Sequence, residues 1–442
     1  MLSSDRMSAG IKREWAIGKS HRLSPDRTLT PDLFGTAAAP ASYLVGRGPL
    51  NRSGGVVRIA DGFMRGLYSQ PKRRRLWGES PDDAGLESPT IGLHMVSPAT
   101  ETRHPAHAWS GSGQLERPAR RIVSLLPSAT EIVCALGLAD RLVAVTHECD
   151  HPVAELNDVP RITSNLLPPE LRRSDEIDAA VRAAVTTGHG LYALDASEMA
   201  RLEPDLVLTQ ELCQVCAVAY PRVLEAARLA GGGPGPMVVS LEPHSIADVC
   251  ATIRLVAGLA GVEERGNALV TRLIRRLGAV KQPARRPRVA LVEWLSPLFA
   301  PGHWVPEQIE RAGGVSVIGA AGERSRESTW DALAAADPHV VVLGLCGFDL
   351  SHSLEEWAAF DAPKPLTRTR AWRDSQCWAI DGSAYVSRPG PRLVDGAEVL
   401  SAILAGRPDP RAVRLSDATT VDAAIVGDPE VRERKSEAPL DQ

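Results

Sequence analysis

Between residues 121 and 404, short apolar runs alternate with stretches of helical period, and both ends of the chain lack either pattern. Arg121–Leu126 (RIVSLL) is a β-branched apolar run that reads as a buried parallel strand. Pro127 and Ser128 end it. Ser128, with Glu131 three residues on, has the form of a capping box opening a helix over Ala129–Leu136, which Gly137 stops. Further strands are predicted at Leu142–Thr146, Leu206–Thr209 and Met237–Leu241, with a helix over Val218–Leu229 between the last two. The same grammar returns after residue 286. Arg288–Trp294 reads as a strand, Val305–Arg311 as a helix closed by Gly313-Gly314, and Val340–Leu345 as a strand. Trp378–Ile380 is a short strand and Leu393–Leu404 a closing helix.

The return of the pattern is an internal repeat. Glu203-Pro204-Asp205 leads into an apolar strand and then Cys213. Asp337-Pro338-His339 leads into another and then Cys346. Strands alternating with helices predict a parallel sheet in each half, hence two α/β lobes. Between them Ser245 and Asp248 begin one helix, which Gly258 and Gly261 interrupt. A second helix follows over about Val262–Leu277, with Leu269, Leu273, Ile274 and Leu277 on one face. At about 1.5 Å per residue it is long enough to act as a stiff strut between lobes. The resulting division is residues 1–118 as an unfolded extension, 119–244 as the first lobe, 245–285 as the linker, 286–406 as the second lobe and 407–442 as a polar tail.

Charge and composition narrow the function. The chain carries 50 Lys and Arg against 54 Asp and Glu. Without a basic field to neutralise phosphates it does not read as a nucleic-acid binder, and the run Lys72–Arg75 reads as a solvated segment. The seven cysteines are an odd number without framework spacing, which suggests free thiols. No apolar run reaches the roughly 18 residues that span a membrane. The first residues carry charges where a secretory segment would be apolar, and the first cysteine is Cys134, so the chain as it stands reads as cytoplasmic. A start at Met95 would leave a compact protein.

Ligands of open parallel sheets bind beyond the carboxyl ends of the strands, and the loops there hold the unusual residues. Pro127 and Ser128 follow the first strand, and His147, Glu148 and Cys149 the second. Gln210, Cys213 and Cys216 follow the third. In the second half come Trp294, His303 and Trp304, then Cys346 and Phe348, then Tyr385 and Arg388. His147, Cys149, Cys213, Cys216, His303 and Cys346 are soft or borderline metal ligands. The CxxC spacing of Cys213 and Cys216 suits a metal, dithiol chemistry, or two thiols packed at a helix start. His147 and His303 read as cleft groups or as loop histidines bonded to backbone. Trp294, Trp304 and Phe348 suit a flat ligand face or ordinary core. Arg388 reads as a bidentate partner for an anionic ligand group or as a surface cation. Nucleophile elbow, P-loop, HExxH and dinucleotide signatures are all missing, so the expectation is a binding protein that requires no cofactor.

Arg121-Ile-Val-Ser-Leu-Leu-Pro-Ser-Ala-Thr-Glu131, the two acidic-Pro strand entries and Ala312-Gly313-Gly314 resemble the cobalamin and iron-siderophore substrate-binding proteins of ABC importers. The resemblance covers residues 119–406. His147-Glu148-Cys149-Asp150, Leu212–Ala217, Pro301–Glu307, Cys346-Gly347-Phe348 and Arg388–Arg392 resemble a subgroup labelled cobalamin-binding. The resemblance implies an α/β fold of two Rossmann-like lobes with parallel sheets joined by a long helix, the class III periplasmic-binding-protein fold. It implies a corrinoid or metal chelate in the cleft of a monomer, docking to a permease, and a periplasmic or extracellular place. His147 or His303 would then be an axial ligand to cobalt, with Trp304 and Phe348 against the ring. Where that family carries an exposed docking Glu, this chain reads Ala217-Val218-Ala219-Tyr220. The alternative is a metal- or thiol-dependent protein using the cleft Cys/His cluster.

Overall fold

The computed structural model describes residues 109–112, 115, 117–186, 190–210, 218, 220–229 and 235–418. All belong to the second of two units that divide between Gly54 and Gly55. Cys213 and Cys216, most of the expected extension and most of the expected tail lie outside the described residues.

Along the first half run β1 (Trp109–Ser112), β2 (Ile122–Ser124), α1 (Pro127–Ala135), β3 (Leu142–Val145), α2 (Val153–Leu156), β4 (Thr163–Asn165), α3 (Ser174–Thr186), β5 (Tyr192–Leu194), α4 (Ala196–Arg201), β6 (Leu206–Thr209), α5 (Tyr220–Leu229) and β7 (Met237–Leu241). The sheet order is β1-β7-β6-β2-β3. β2, β3, β6 and β7 are parallel, and β2, β6 and β7 are buried along their whole length, as covering by helices on both faces requires. The edge strand β1 is antiparallel to β7 and lies inside the stretch expected to be unfolded. Its sequence WSGS has no apolar alternation, so only tertiary pairing defines it.

Two linker helices follow, α6 (Ile246–Leu259) and α7 (Glu263–Ala279). The second half then holds β8 (Arg288–Val292), β9 (Phe299–Ala300), α8 (Val305–Arg311), β10 (Val315–Ser316), β11 (Arg326–Glu327), α9 (Trp330–Ala335), β12 (Val340–Leu343), α10 (Leu350–Ala359), α11 (Lys364–Thr367), α12 (Arg370–Arg373), β13 (Cys377–Ile380), α13 (Gly382–Tyr385), α14 (Leu393–Leu404) and β14 (Ala412–Arg414). The order is β10-β8-β12-β13-β14, parallel except for β14. β14 and the buried Leu415 continue the second lobe into the expected polar tail.

The internal repeat has a structural counterpart. Glu203 and Asp337 both adopt the left-handed backbone, with φ of 41° and 36°. Asp205 then accepts from the backbone N–H groups of Arg120 and Arg121 at 2.8 and 3.1 Å, and His339 Nδ1 accepts from that of Arg288 at 2.9 Å. Each thus satisfies backbone donors where the neighbouring strand begins. Arg121 and Arg288 in turn donate to carbonyls of the preceding helix end, Leu202 and Ala336.

Three local expectations change. α1 begins at Pro127 with Leu126 at its cap and no side-chain capping bond, so Ser128 and Glu131 form no capping box. Glu131 is used instead by arginines of the other lobe. Gly258 lies inside α6, and only Gly261, at φ +67°, breaks the helices apart. On α7 the buried residues are Gly266, Leu269, Val270, Leu273 and Leu277, whereas Ile274 is 52 % exposed.

The linker limits how the lobes move. Near the start of α7 Arg265 donates to the carbonyls of Leu136 and Gly137 in the first lobe. Farther along, Arg276 pairs with Asp395 and Glu398 of α14 in the second. One continuous apolar cluster contains Ile122, Leu206, Ile253, Leu269, Leu291 and Leu400, residues from both lobes and both linker helices. A hinge through this region would open close-packed core.

Candidate functional site

Loops at the carboxyl ends of the parallel strands of the two sheets meet at three places. The first is an ion network. Arg388, two residues beyond Val386 at the end of α13, donates from Nη1 to Asp150 Oδ1 at 2.5 Å and from Nη2 to Asp150 Oδ2 at 3.1 Å. It also reaches Glu131 at 3.3 Å and the carbonyl of Glu148 at 3.2 Å. Arg392 pairs with Glu131 at 2.6 and 3.0 Å. Glu131 is 3 % and Arg388 8 % exposed as side chains, while Asp150 is 47 % exposed. Burial works against the Arg388 charge, but Asp150 and Glu131 outweigh it and hold the guanidinium protonated. Arg388 is therefore committed to the other lobe instead of standing free as a surface cation.

The second is a crossing segment. β4, α3 and β5 follow from first-lobe sequence, yet Ile177 of α3 packs on the apolar cluster of the second lobe. Ser174 donates from its N–H and hydroxyl to Glu356 Oε1 at 3.0 and 2.5 Å. Its carbonyl accepts from Trp294 Nε1 at 3.0 Å, and the carbonyl of Arg172 lies 2.9 Å from His352 Nε2. Arg182 meets Glu327 at 2.9 Å. Against this segment stands an aromatic row: Trp294 is edge-on to Phe348 at 5.1 Å, and Phe348 stacks on His352 at 3.6 Å with 8° between the planes.

The third is a pair of imidazoles. His244 follows β7 and His303 precedes α8, with ring centroids 5.4 Å apart. His303 takes a positive φ of 50° and is held by backbone bonds to Glu323 and Gly322. Burial and the neighbouring charge of His244 push His303 down to about 4, so its ring is neutral near pH 7.

The remaining candidates are distributed as follows. Pro127 is the first residue of α1, and buried Ser128 lies against Gly390, where a Cβ would stand 3.5 Å from the Ser128 carbonyl oxygen. His147 Nδ1 meets Thr163 Oγ1 at 2.7 Å, its Nε2 lies 3.2 Å from Glu148, and its ring leans on Tyr192 at 5.4 Å. Cys149 is 2 % exposed, bonds Thr130 Oγ1 at 3.0 Å, and burial pushes its thiol up to about 11. Gln210 is 9 % exposed at the end of β6. Trp304 is packed into the core with Nε1 bonded to the Val386 carbonyl at 2.9 Å, which leaves it little face for a ligand. Tyr385 is half-buried against the same core, its carbonyl accepting from Gln308. Cys346 is exposed, with its N–H bonded to the Glu293 carbonyl. Among the described residues no group of three or more His, Cys, Asp or Glu side chains could hold a metal ion.

Sequence reasoning passed over Glu131, Asp150, Arg392, His244, His352 and Glu356 as site residues. His244 follows the predicted strand Met237–Leu241, so the strand-end rule reaches it. Glu356 sits mid-helix, and nothing local marks a carboxylate that serves another lobe.

Comparison with known proteins adds the family. Residues 122–375 match the family described as periplasmic binding protein. A vitamin B12-binding protein of Vibrio cholerae serotype O1 is 24 % identical over 292 residues, covering 65 % of this chain and 90 % of that protein. An uncharacterized ABC transporter substrate-binding lipoprotein of Bacillus subtilis is 23 % identical over 297 residues, covering 65 % and 80 %. Among solved structures, the periplasmic heme-binding protein RhuT from Roseiflexus sp. RS-1 in apo form aligns with a TM-score of 0.48 at 23 % identity, over 65 % of this chain and 98 % of that one. The periplasmic vitamin B12 binding protein BtuF of Vibrio cholerae aligns at 0.46 and 20 % identity, over 66 % and 99 %.

Proposed function

The chain belongs to the periplasmic binding protein family, and from that premise we propose that it holds a corrinoid or another metal chelate between its lobes and delivers it to the permease of an ABC importer. The observation that carries this reading is the meeting of loops from both sets of strand ends, with the Trp294–Phe348–His352 row among them. A flat macrocycle or chelate suits aromatic faces flanked by imidazoles. The relatives named for vitamin B12 binding and for ABC-transporter substrate binding support the same class. The protein acts as a monomer at the periplasmic or extracellular face, in place of the cytoplasmic reading of its first residues. Trp304 and Phe348 are both packed in the core and support the shape of the cleft, and the half-buried Trp294 is the better candidate for ring contact.

Two features weigh against a thiol- or metal-dependent catalyst. The buried Cys149 is held as a thiol by its surroundings, and the family is one of binding proteins.

The test is absorption titration of the full chain with hydroxocobalamin, haem and a ferric hydroxamate. One of them binds with a Kd well below about 100 μM, that is, tighter than about −5.5 kcal/mol. Trp294→Ala weakens that ligand at least about tenfold. Absence of binding by all three up to about 100 μM would overturn the reading.

A further inference from the structure

His244 and His303 are the one described pair in which buried imidazole nitrogens from both sides of the cleft come together unsatisfied. His244 Nδ1 and His303 Nε2 are both buried, and neither has a hydrogen-bond partner among the described residues. A buried polar nitrogen without a partner costs roughly 1–3 kcal/mol, so two adjacent ones call for an explanation.

Three further facts give them one. The rings are tilted by 41° at 5.4 Å between centroids, so they do not stack face to face. The backbone at His303 is left-handed, a conformation that costs a non-glycine residue of order 1–3 kcal/mol and persists only where the surroundings impose it. The surroundings do impose it. The His303 N–H donates to the Glu323 carbonyl at 2.6 Å, its carbonyl accepts from Gly322 at 2.9 Å, and a Cβ on the adjacent Gly302 would meet the Glu323 carbonyl oxygen at 2.4 Å. His244 is fixed likewise, its N–H donating to Asp248 at 3.1 Å while Ile246 N–H donates to Glu307 of α8 at 3.0 Å.

We propose that His244 and His303 bind one divalent transition-metal ion of the zinc type between them, with water or a ligand's own donor atom filling the remaining positions. Zinc sits about 2.0–2.1 Å from each imidazole nitrogen, so a tetrahedral ion needs those nitrogens about 3.3 Å apart. With each ring centre about 1.1 Å beyond its nitrogen, two imidazoles on one such ion stand about 5.2 Å apart between centroids, close to the 5.4 Å observed. Both rings must be neutral to ligate. With only two protein ligands the site is open, unlike a closed structural zinc site. It spans the two halves, so an ion there links the loop after β7 to the turn before α8.

The inference does not depend on the chelate reading. The test is titration of the full chain with Co2+ alone, followed by the visible d–d bands, with Zn2+ as competitor. One ion per chain is expected. Affinity should fall at least about tenfold in His244→Ala and in His303→Ala, since even losing a residue that merely orients a metal ligand costs 10–100-fold. His151→Ala, at an exposed position, serves as the control that leaves it unchanged. Because His303→Ala alters a strained turn, His244→Gln carries the test if that variant misfolds. Bands that survive both substitutions, thiolate-to-cobalt bands in the near ultraviolet, or no bands at all would each overturn the site. A chain that binds hydroxocobalamin or haem and not Co2+ overturns this inference alone.

Discussion

Arg388 of the second lobe closes a bidentate pair on Asp150 of the first while its Nη1 also reaches Glu131, so one guanidinium ties two first-lobe carboxylates. The two carboxylates are not equivalent. Glu131 is buried and serves Arg392 as well, whereas Asp150 is nearly half exposed. Removing one member of a buried pair leaves an uncompensated charge and costs about 3–5 kcal/mol. Breaking a partly solvated pair costs about 1 kcal/mol or less. Urea unfolding should therefore rank Glu131→Gln well below Asp150→Asn in stability. Equal losses would mean that Asp150 carries the clamp and that Glu131 is satisfied some other way.

Glu293 gives the molecule a pH dependence. It follows β8 in the second lobe, and burial pushes its carboxyl up to about 8, with the neighbouring Cys346 adding to the rise while Ser325 and the Gly302 backbone oppose it. The folded state therefore holds a proton that the unfolded chain releases near its ordinary value of 4.5. Stability from this group is fully present below about pH 4.5 and is lost as pH rises through about 8. The slope can reach about 1.4 kcal/mol per pH unit and is smaller to the extent that water reaches the carboxyl. Denaturant melts between pH 5 and about 8 should show the decline in the parent chain and a flatter profile in Glu293→Gln. Parallel profiles would show that Glu293 is ionised in the folded protein.

How much of this was readable in advance follows from which interactions are local. The strands Leu206–Thr209 and Met237–Leu241 and the helices Val305–Arg311 and Leu393–Leu404 have the bounds expected of them, because apolar period and flanking Gly or Pro fix each without help from elsewhere. The repeat of Glu203-Pro204 and Asp337-Pro338 was visible as letters and proves to be one backbone turn used twice. β1 was not visible, since WSGS becomes a strand only by pairing with β7. The same holds for Glu131, whose spacing from Ser128 imitates a local cap while its carboxylate serves arginines more than 250 residues away along the chain. Strand-end logic reached Trp294, Phe348 and His303. It did not reach His352 or Glu356, which lie on α10 and act through contacts with a segment of the other lobe.

That segment yields a local prediction. Ser174 and Glu356 are both buried, and their two bonds anchor the start of α3 to the second lobe. Glu356→Ala leaves the Ser174 N–H and hydroxyl without a partner, a cost of about 1–3 kcal/mol each. The α3 segment can escape that cost by detaching without disturbing β2, β6 and β7. Hydrogen exchange should accordingly accelerate across 174–186 in Glu356→Ala and stay unchanged in the central strands. Acceleration throughout would make the contact part of the global fold and not a local fastening.

Thiol chemistry reports on the cleft without reference to any particular ligand. Of the described cysteines, Cys134, Cys149, Cys250 and Cys377 are buried and Cys346 is exposed. Burial pushes Cys134 and Cys377 up to about 12 and Cys149 up to about 11, so all three stay protonated and shielded at pH 8. In a Cys213→Ser, Cys216→Ser background, a maleimide should label one residue quickly, and Cys346→Ser should abolish that phase. Cys346 stands two residues before Phe348 at the carboxyl end of β12, so a ligand resting on the aromatic row shields it. Saturation with the chelate that binds should slow labelling at least about tenfold, following the fraction of empty sites. Labelling that proceeds at the same rate with and without bound chelate would place the ligand away from Trp294 and Phe348, and the contact surface would then have to be sought nearer His147 and Tyr192 on the opposite lobe.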